Sequence, residues 1–281
     1  MASDSGTVEY TLYNYSPSLA AAVIFIACFG ISSVAHVIQL TMKKTWYFIP
    51  FVIGGLFEAV GYVGRAMNSQ DKAPNWSINA YIIQSLLLLI GPTFFAASIY
   101  MILGRIIRLT NGEAHSVVRA TWVTKIFVAG DVLSFLMQSA GGGMLAKANS
   151  ADDQELGEHI IVGGLIVQIL FFGFFVVASG LFHYRIRAYP TNRSQTISVP
   201  WERYLVILYV ASLLILWRSI YRLAEYIQGS DGTLQMHEAY LYVFDALLMF
   251  ITCIIFNIWH PSTIISHKNM AVPQEEMEFS S

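Results

Sequence analysis

Charge is scarce in this chain of 281 residues: Asp, Glu, Lys and Arg together make up 12%, against about 25% in an average soluble domain. Cysteine is scarcer still. Cys28 and Cys253 both sit inside apolar runs, so they read as packing residues rather than as a disulfide. The first seventeen residues hold no Lys or Arg, which removes the basic start of a secretory signal, so the first apolar run is expected to stay as a helix. H-E-x-x-H, C-x-x-C and G-x-S-x-G are missing, and with them the usual signatures of zinc hydrolases, thiol redox proteins and serine hydrolases. There is no G-x-x-x-x-G-K-[ST] phosphate loop either, so any transport is expected to be passive, ion-coupled or assisted by a partner. No cofactor and no nucleic-acid partner is expected.

What the chain has instead is apolar length: 56% of its residues are hydrophobic. A helix needs about 20 apolar residues to cross roughly 30 Å of hydrocarbon. Seven runs meet that length, over 18–40, 46–67, 79–104, 119–145, 159–182, 203–227 and 238–259. Backbone groups cannot stay unpaired in lipid, so each run should be helical. The expected fold is an all-α polytopic membrane protein, a seven-helix bundle over 18–260, with a short segment 1–17 before it and a tail 261–281 after it. Lys and Arg set the orientation. Lys43, Lys44, Arg105, Arg108, Arg119, Arg185, Arg187, Arg193, Arg203 and Lys268 fall on one side, and only Lys72 and Lys147 on the other. This places the N-terminus outside and the C-terminus in the cytosol. Asn14 and Asn75 begin glycosylation tripeptides on the outer side, and Asn192 begins one on the inner side. The loop 183–202 is expected to be non-helical because of its prolines, and the acidic tail to be disordered.

Ionisable residues inside spans are rare, and by default they mark function. Here they recur at intervals of seven: Glu58 with Arg65, Asp131 with Gln138, Arg218 with Glu225, and Glu238 with Asp245. Arg222 lies between Arg218 and Glu225 on the same stripe, at i+4. Two helical turns return to nearly one face, so each helix carries a polar seam that should turn inward. At about 1.5 Å per residue, Glu58, Asp131, Arg218 and Asp245 all come to roughly 18–22 Å from the inner side. Arg65, Gln84, Gln138, Arg222 and Glu225 lie above them, toward the outer leaflet. Five carboxylates face three arginines. The layer is therefore either a polar cavity open toward the outer leaflet or a closed ion-pair knot that only fixes packing.

Weaker features accompany this layer. Pro92 should kink the third span. Gly141, Gly142 and Gly143 in "AGGGML" (140–145) either loosen the outer end of the fourth span or allow a tight helix crossing. Gly54, Gly61, Gly64, Gly163, Gly164 and Gly173 suit close helix contact. His36, in the inner third of the first span, is a weak metal or haem ligand and reads better as a core histidine.

The stretches "YSPS" (15–18), "GLFEAVGYVGR" (55–65), "GPTFFAASIY" (91–100), "GDVLSFLMQSAGGG" (130–143), "WRSIYRLAEY" (217–226) and "WHPS" (259–262), with Glu238 and Asp245, follow in order along nearly the whole chain. Together they resemble the fungal lipid-translocating exporters, RTA-like seven-span proteins named for resistance to aminocholesterol. Ser262 stands where that family often has glycine, and Trp217 where it often has phenylalanine. The resemblance implies an N-terminus outside, a plasma or internal fungal membrane, and roles in resistance to toxic amphiphiles. It also implies release or flipping of sphingoid bases and, in some members, handling of porphyrin or haem. The expected function is thus a translocator of membrane lipids or amphiphilic small molecules at the plasma membrane. Its ligand site is expected at Glu58, Arg65, Gln84, Asp131, Gln138, Arg218, Arg222, Glu225, Glu238 and Asp245. A seven-helix sensor and a metal-dependent intramembrane hydrolase are the alternatives.

Overall fold

The computed structural model describes Tyr13 and residues 15–71, 76–145, 150–229 and 232–264. Asn14, Asn75, Lys72, Lys147 and Lys268, and with them the two outer tripeptide sites and the tail beyond Ile264, lie outside the described residues.

Among those residues the chain is helical throughout, with no strand. Seven helices are long and apolar enough to cross a membrane. They are α1 (Leu19–Lys43), α2 (Ile49–Asn68), α3 (Ile78–Leu109), α4 (Ala120–Leu145), α5 (Ala151–Ala188) and α6 (Trp201–Gln228). The seventh, α7, joins Glu238–Leu241, a π turn at Tyr242–Ala246 and Leu247–Ile258. Each helix packs on its neighbour in sequence, α1 closes the ring against α7, and α3 touches α6 across the middle. Ile31, Val34, Leu170, Phe174 and Val177 stay exposed on the outside, as suits faces that meet lipid tails rather than water.

Two boundaries differ from the hydropathy reading. Helix α5 begins well before residue 159, because Ser150 caps it by accepting from the Asp153 N–H and because Asp152 and Asp153 face the positive end of its dipole. It also runs on to Ala188, where Arg185 and Arg187 favour its last turn. The loop 183–202 was expected to hold no helix, yet Asn192–Thr196 forms one turn capped by Thr191. Its prolines, Pro190 and Pro200, lie outside that turn and do not interrupt it.

Glycine positions explain the closest contacts. A methyl group on Gly64 would lie 2.8 Å from the Ala80 carbonyl, and one on Gly54 would lie 2.8 Å from the Gly91 carbonyl, so α2 and α3 touch backbone to backbone. Gly141 does the same for α4 on α5, against the Gly157 carbonyl at 2.6 Å. The glycine run 140–145 therefore makes a tight crossing, and α4 remains helical to Leu145. Gly173 makes no such contact; the space around it is open. The basic end of the bundle is tied by Arg105 over the Tyr47 ring at 4.0 Å, by Thr191 donating to the Thr110 carbonyl, and by Tyr204 donating to the Trp259 carbonyl at 2.8 Å.

Candidate functional site: three arginines and a cleft

Pro92 lies inside α3 and has no N–H, so it leaves the Leu88 carbonyl, four residues earlier, without its helical donor. Arg218 of α6 takes that position and donates to Leu88 O through Nη2 at 2.6 Å. Its Nε donates to Asp245 of α7 at 2.5 Å. Both side chains are 2% exposed, so this is a closed three-helix joint. It makes the α3–α6 contact at the centre of the ring.

Arg65, near the far end of α2, is also enclosed. It donates to Glu238 through Nη2 at 2.8 Å, to Tyr242 Oη through Nε at 3.1 Å, and to Tyr15 Oη through Nη2 at 2.7 Å. The rings of Tyr13, Tyr15 and Tyr242 surround its guanidinium at 5.4–5.7 Å. Glu238 in turn accepts from the Ser18 N–H. Gln84 accepts from Tyr13 Oη at 2.7 Å, and Asn68 lies 3.0 Å from the same hydroxyl. Burial pushes the Tyr13 phenol up to about 12, and burial raises Tyr15 against the opposing pull of Arg65. Both therefore serve as neutral hydroxyls at this end of the bundle. The segment before α1 thus straps α2, α3 and α7 together.

Arg222, one turn beyond Arg218, differs. Its Nη1 donates to Glu225 at 2.8 Å, while its Nε stays 3.8 Å from Asp245 and has no hydrogen-bond partner. It borders a cleft of about 170 Å³ between α3, α4 and α6, walled by Ile82, Leu86, Leu89 and Leu145 and, from α5, by Ile161. The polar lining is Arg222, Gln138, Ser139, Tyr81 and Tyr226. Gln138 spends its amide hydrogens on Ser134 at 2.6 Å and Gln168 at 3.1 Å, which leaves its Oε1 unpaired. The Ser139 hydroxyl is unpaired as well. Ile82, Leu86 and Gly143 are exposed, so the cleft opens sideways between α3 and α4. An apolar groove with a lateral mouth, lined in part by three residues that each keep an unpaired polar atom, suits an amphiphile.

The residues expected in one layer therefore divide. Arg218 and Asp245 pair with each other, Arg65 pairs with Glu238 beside Gln84, and Arg222 with Glu225 and Gln138 reaches the cleft. Glu58 is fully buried, and neither of its carboxylate oxygens has a hydrogen-bond partner; its nearest charges are Asp245, Arg218 and Arg222. Asp131 does not join them. It accepts from Tyr100 Oη at 2.9 Å, in a nest formed with Phe127, Phe172 and Phe175. Depth along a helix fixes the level of a side chain but not the direction it faces around the axis, and Asp131 faces α3 at Tyr100. His36 contacts the Cys253 carbonyl at 3.2 Å between Phe48 and Phe51. Among the described residues no group of three His, Cys, Asp or Glu side chains could hold a metal ion. Tyr13, Tyr15, Ser139 and Tyr226 were not among the expected site residues, because an uncharged hydroxyl in or beside an apolar run carries no charge to single it out. The one available signal was Pro92, which announces a free carbonyl at Leu88.

The family model described as RTA1 like protein matches residues 51–268. Protein RTA1 of Saccharomyces cerevisiae is 39% identical over 90% of this chain and 85% of its own length. Protoporphyrin uptake protein 1 of the same yeast is 36% identical over 91% of this chain and 92% of its own. The sphingoid long-chain base transporter RSB1 of Saccharomyces cerevisiae is 27% identical over 92% of this chain and 75% of its own. No solved structure matches the chain.

Proposed function

The chain belongs to the RTA1-like family of integral membrane proteins, and from that premise we propose that it transports amphiphilic compounds, holding the polar end of its ligand in the cleft between α3, α4 and α6. The observation that carries this reading is an apolar groove with a lateral mouth whose lining includes Arg222, Gln138 and Ser139, three residues that each keep one polar atom without a hydrogen-bond partner. A ligand tail lies in that groove or in lipid, while donors and acceptors on its head meet those atoms. Two relatives support the substrate class by name, one a sphingoid base transporter and the other a protoporphyrin uptake protein. A sphingoid base offers hydroxyls to Ser139 and Arg222 and an amine to Gln138 Oε1, with Glu225 close by to balance its charge. Arg218 and Asp245 then act as the joint behind the site, and Arg65 with Glu238 as its outer clamp. The chain has no catalytic role in this reading. The basic loop residues put the N-terminus and the strap outside, and the plasma membrane is the membrane we assign.

Leaflet exchange in liposomes carrying the purified chain tests this. Labelled sphingoid base and labelled phospholipid are run side by side. Exchange of at least one of them by the wild type is expected. Arg222→Gln should slow it about 10- to 100-fold, as expected for loss of hydrogen bonds to a charged donor. Wild-type rates equal to protein-free liposomes with both labels would reject the transport reading.

A further inference from the structure

Glu58 is the least explained charged residue in the bundle. It is 0% exposed, both its oxygens lack partners, and it lies against the Gly91 backbone of α3. In a water-free interior such a group is costly in either form, and most costly as a bare carboxylate. Yet the ion pairs nearby are already made. Arg218 is held by Asp245 and by the Leu88 carbonyl, and Arg222 by Glu225.

A second observation lies between Glu58 and the basic face. Here α1 and α7 share a seam of polar side chains, although their outer faces are apolar. Gln39 donates to the Asn257 carbonyl at 2.8 Å, and Asn257 donates to Ser32 Oγ at 2.5 Å. Ser32 contacts the Cys253 thiol, which lies within electrostatic reach of Glu58. Ser33 comes so close to α2 that a methyl on Gly55 would sit 2.6 Å from its hydroxyl, one turn before Glu58. Along this seam Gln39 Oε1, Asn257 Oδ1, His36 Nδ1 and Ser33 Oγ have no partner in the protein. Buried polar atoms are nearly always paired. Here several unpaired ones lie between the Lys43 end of α1 and an unpaired carboxyl, and polar atoms left open in this way can hold water.

We propose that Glu58 is a proton-binding site that couples transport to a proton gradient, reached from the basic face through the seam between α1 and α7. The inference rests on the transport reading above. In the step itself, a hydronium ion from the aqueous side gives its proton to the Glu58 carboxylate, leaving a neutral carboxylic acid and water; the return step releases the proton. As an anion, Glu58 competes with Asp245 and Glu225 for Arg218 and Arg222; as an acid it does not. Binding a proton thus changes the pull on Arg222, the residue that reaches the cleft. The titratable groups facing Glu58 are Asp245 and Cys253 on α7, Arg218 and Arg222 on α6, and Tyr62 on α2 itself. His36 on α1 lies further along the seam, and α3 presents Gly91 with no titratable side chain.

Two measurements on the full chain test the proposal. In liposomes, the probe is a labelled sphingoid base with a quaternary ammonium head, whose charge does not respond to pH. With equal pH on both sides the wild type should exchange it. A difference of one pH unit should then drive accumulation of up to about tenfold, if one proton moves per ligand. Glu58→Gln should bring that ratio back to one, and Asn257→Ala, which interrupts the route but keeps Glu58, should slow its approach. Infrared difference spectra of the purified chain between acid and alkaline pH provide a readout independent of transport. A buried carboxylic-acid band should titrate in the wild type and vanish in Glu58→Gln. Exchange without any response to the gradient, or a band that survives in Glu58→Gln, overturns the coupling and leaves the transport reading intact. Wild-type protein that exchanges neither this probe nor the unmodified sphingoid base overturns both.

Discussion

Arg65 and Arg222 invite comparison, because both are buried guanidiniums toward the same end of the bundle, each paired with a glutamate at 2.8 Å. Arg65 has a carboxylate, two tyrosine hydroxyls and three aromatic rings around it. Arg222 has one hydrogen-bonded carboxylate, the ring of Tyr226 at 5.9 Å, and an Nε without a hydrogen bond, 3.8 Å from Asp245. The first site is saturated by its own chain and holds four segments together. The second has fewer hydrogen bonds and lines an apolar groove. A charged residue in a membrane span can thus be a fastening or a ligand group, and the number of partners left over decides between them. Arg218 belongs with Arg65 on this measure, since Asp245 and the Leu88 carbonyl take its donors.

The sharpest way to break the comparison is to remove a closed arginine. Arg218→Met leaves the buried Asp245 without its hydrogen-bonded partner, with only Arg222 at 3.8 Å, and should destabilise the chain by about 3–5 kcal/mol, read as a lower unfolding midpoint in detergent. An unchanged midpoint would mean that Arg218 is not a fastening. Tyr15→Phe takes one hydrogen bond from Arg65 and should cost about 1.5–3 kcal/mol in the same measurement, with leaflet exchange unaffected. Gly141→Ala sets a methyl against the Gly157 carbonyl and should cost about 1–3 kcal/mol as α4 and α5 part. Since Gln138 and Ser139 sit on the same stretch of α4, exchange should fall as well. Ser139→Ala has the smallest expected effect on stability, within about 0.5 kcal/mol. It should still slow exchange about 2- to 10-fold, the worth of one hydrogen bond to the ligand. If Tyr15→Phe slowed exchange more than Ser139→Ala, the assignment of closed and open sites would be reversed.

Much of this was legible in the residues before any coordinates. Seven apolar lengths and an inward polar seam follow from span physics, and the spans agree to within a few residues except at α5, whose polar caps hydropathy discards. The division of the seam was not legible. Glu238 and Asp245 are seven apart and look like one face, yet they serve different arginines on different helices. Asp131 shares the depth of Asp245 and faces Tyr100 instead. Azimuth depends on how each helix is turned against its neighbours, and those turns are set by contacts such as Gly64 on Ala80 and Gly141 on Gly157. The strap residues Tyr13 and Tyr15 lie before the first span, where a hydropathy argument has nothing to say.

The π turn at Tyr242–Ala246 makes chain length itself a structural variable in α7. A π turn accommodates one residue more than a regular helix would hold, so the segment behaves as an absorbed insertion. Deleting one residue there would restore an uninterrupted α-helix. Because the turn absorbs that residue, Glu238 and Asp245 would keep nearly the faces they occupy now. A deletion in the regular part, Leu247–Ile258, has no such turn to absorb it and would rotate one side of the helix against the other by about 100°, one residue's step of a 3.6-residue turn. A substitution table for this helix would miss that entirely; only counting its residues would reveal it.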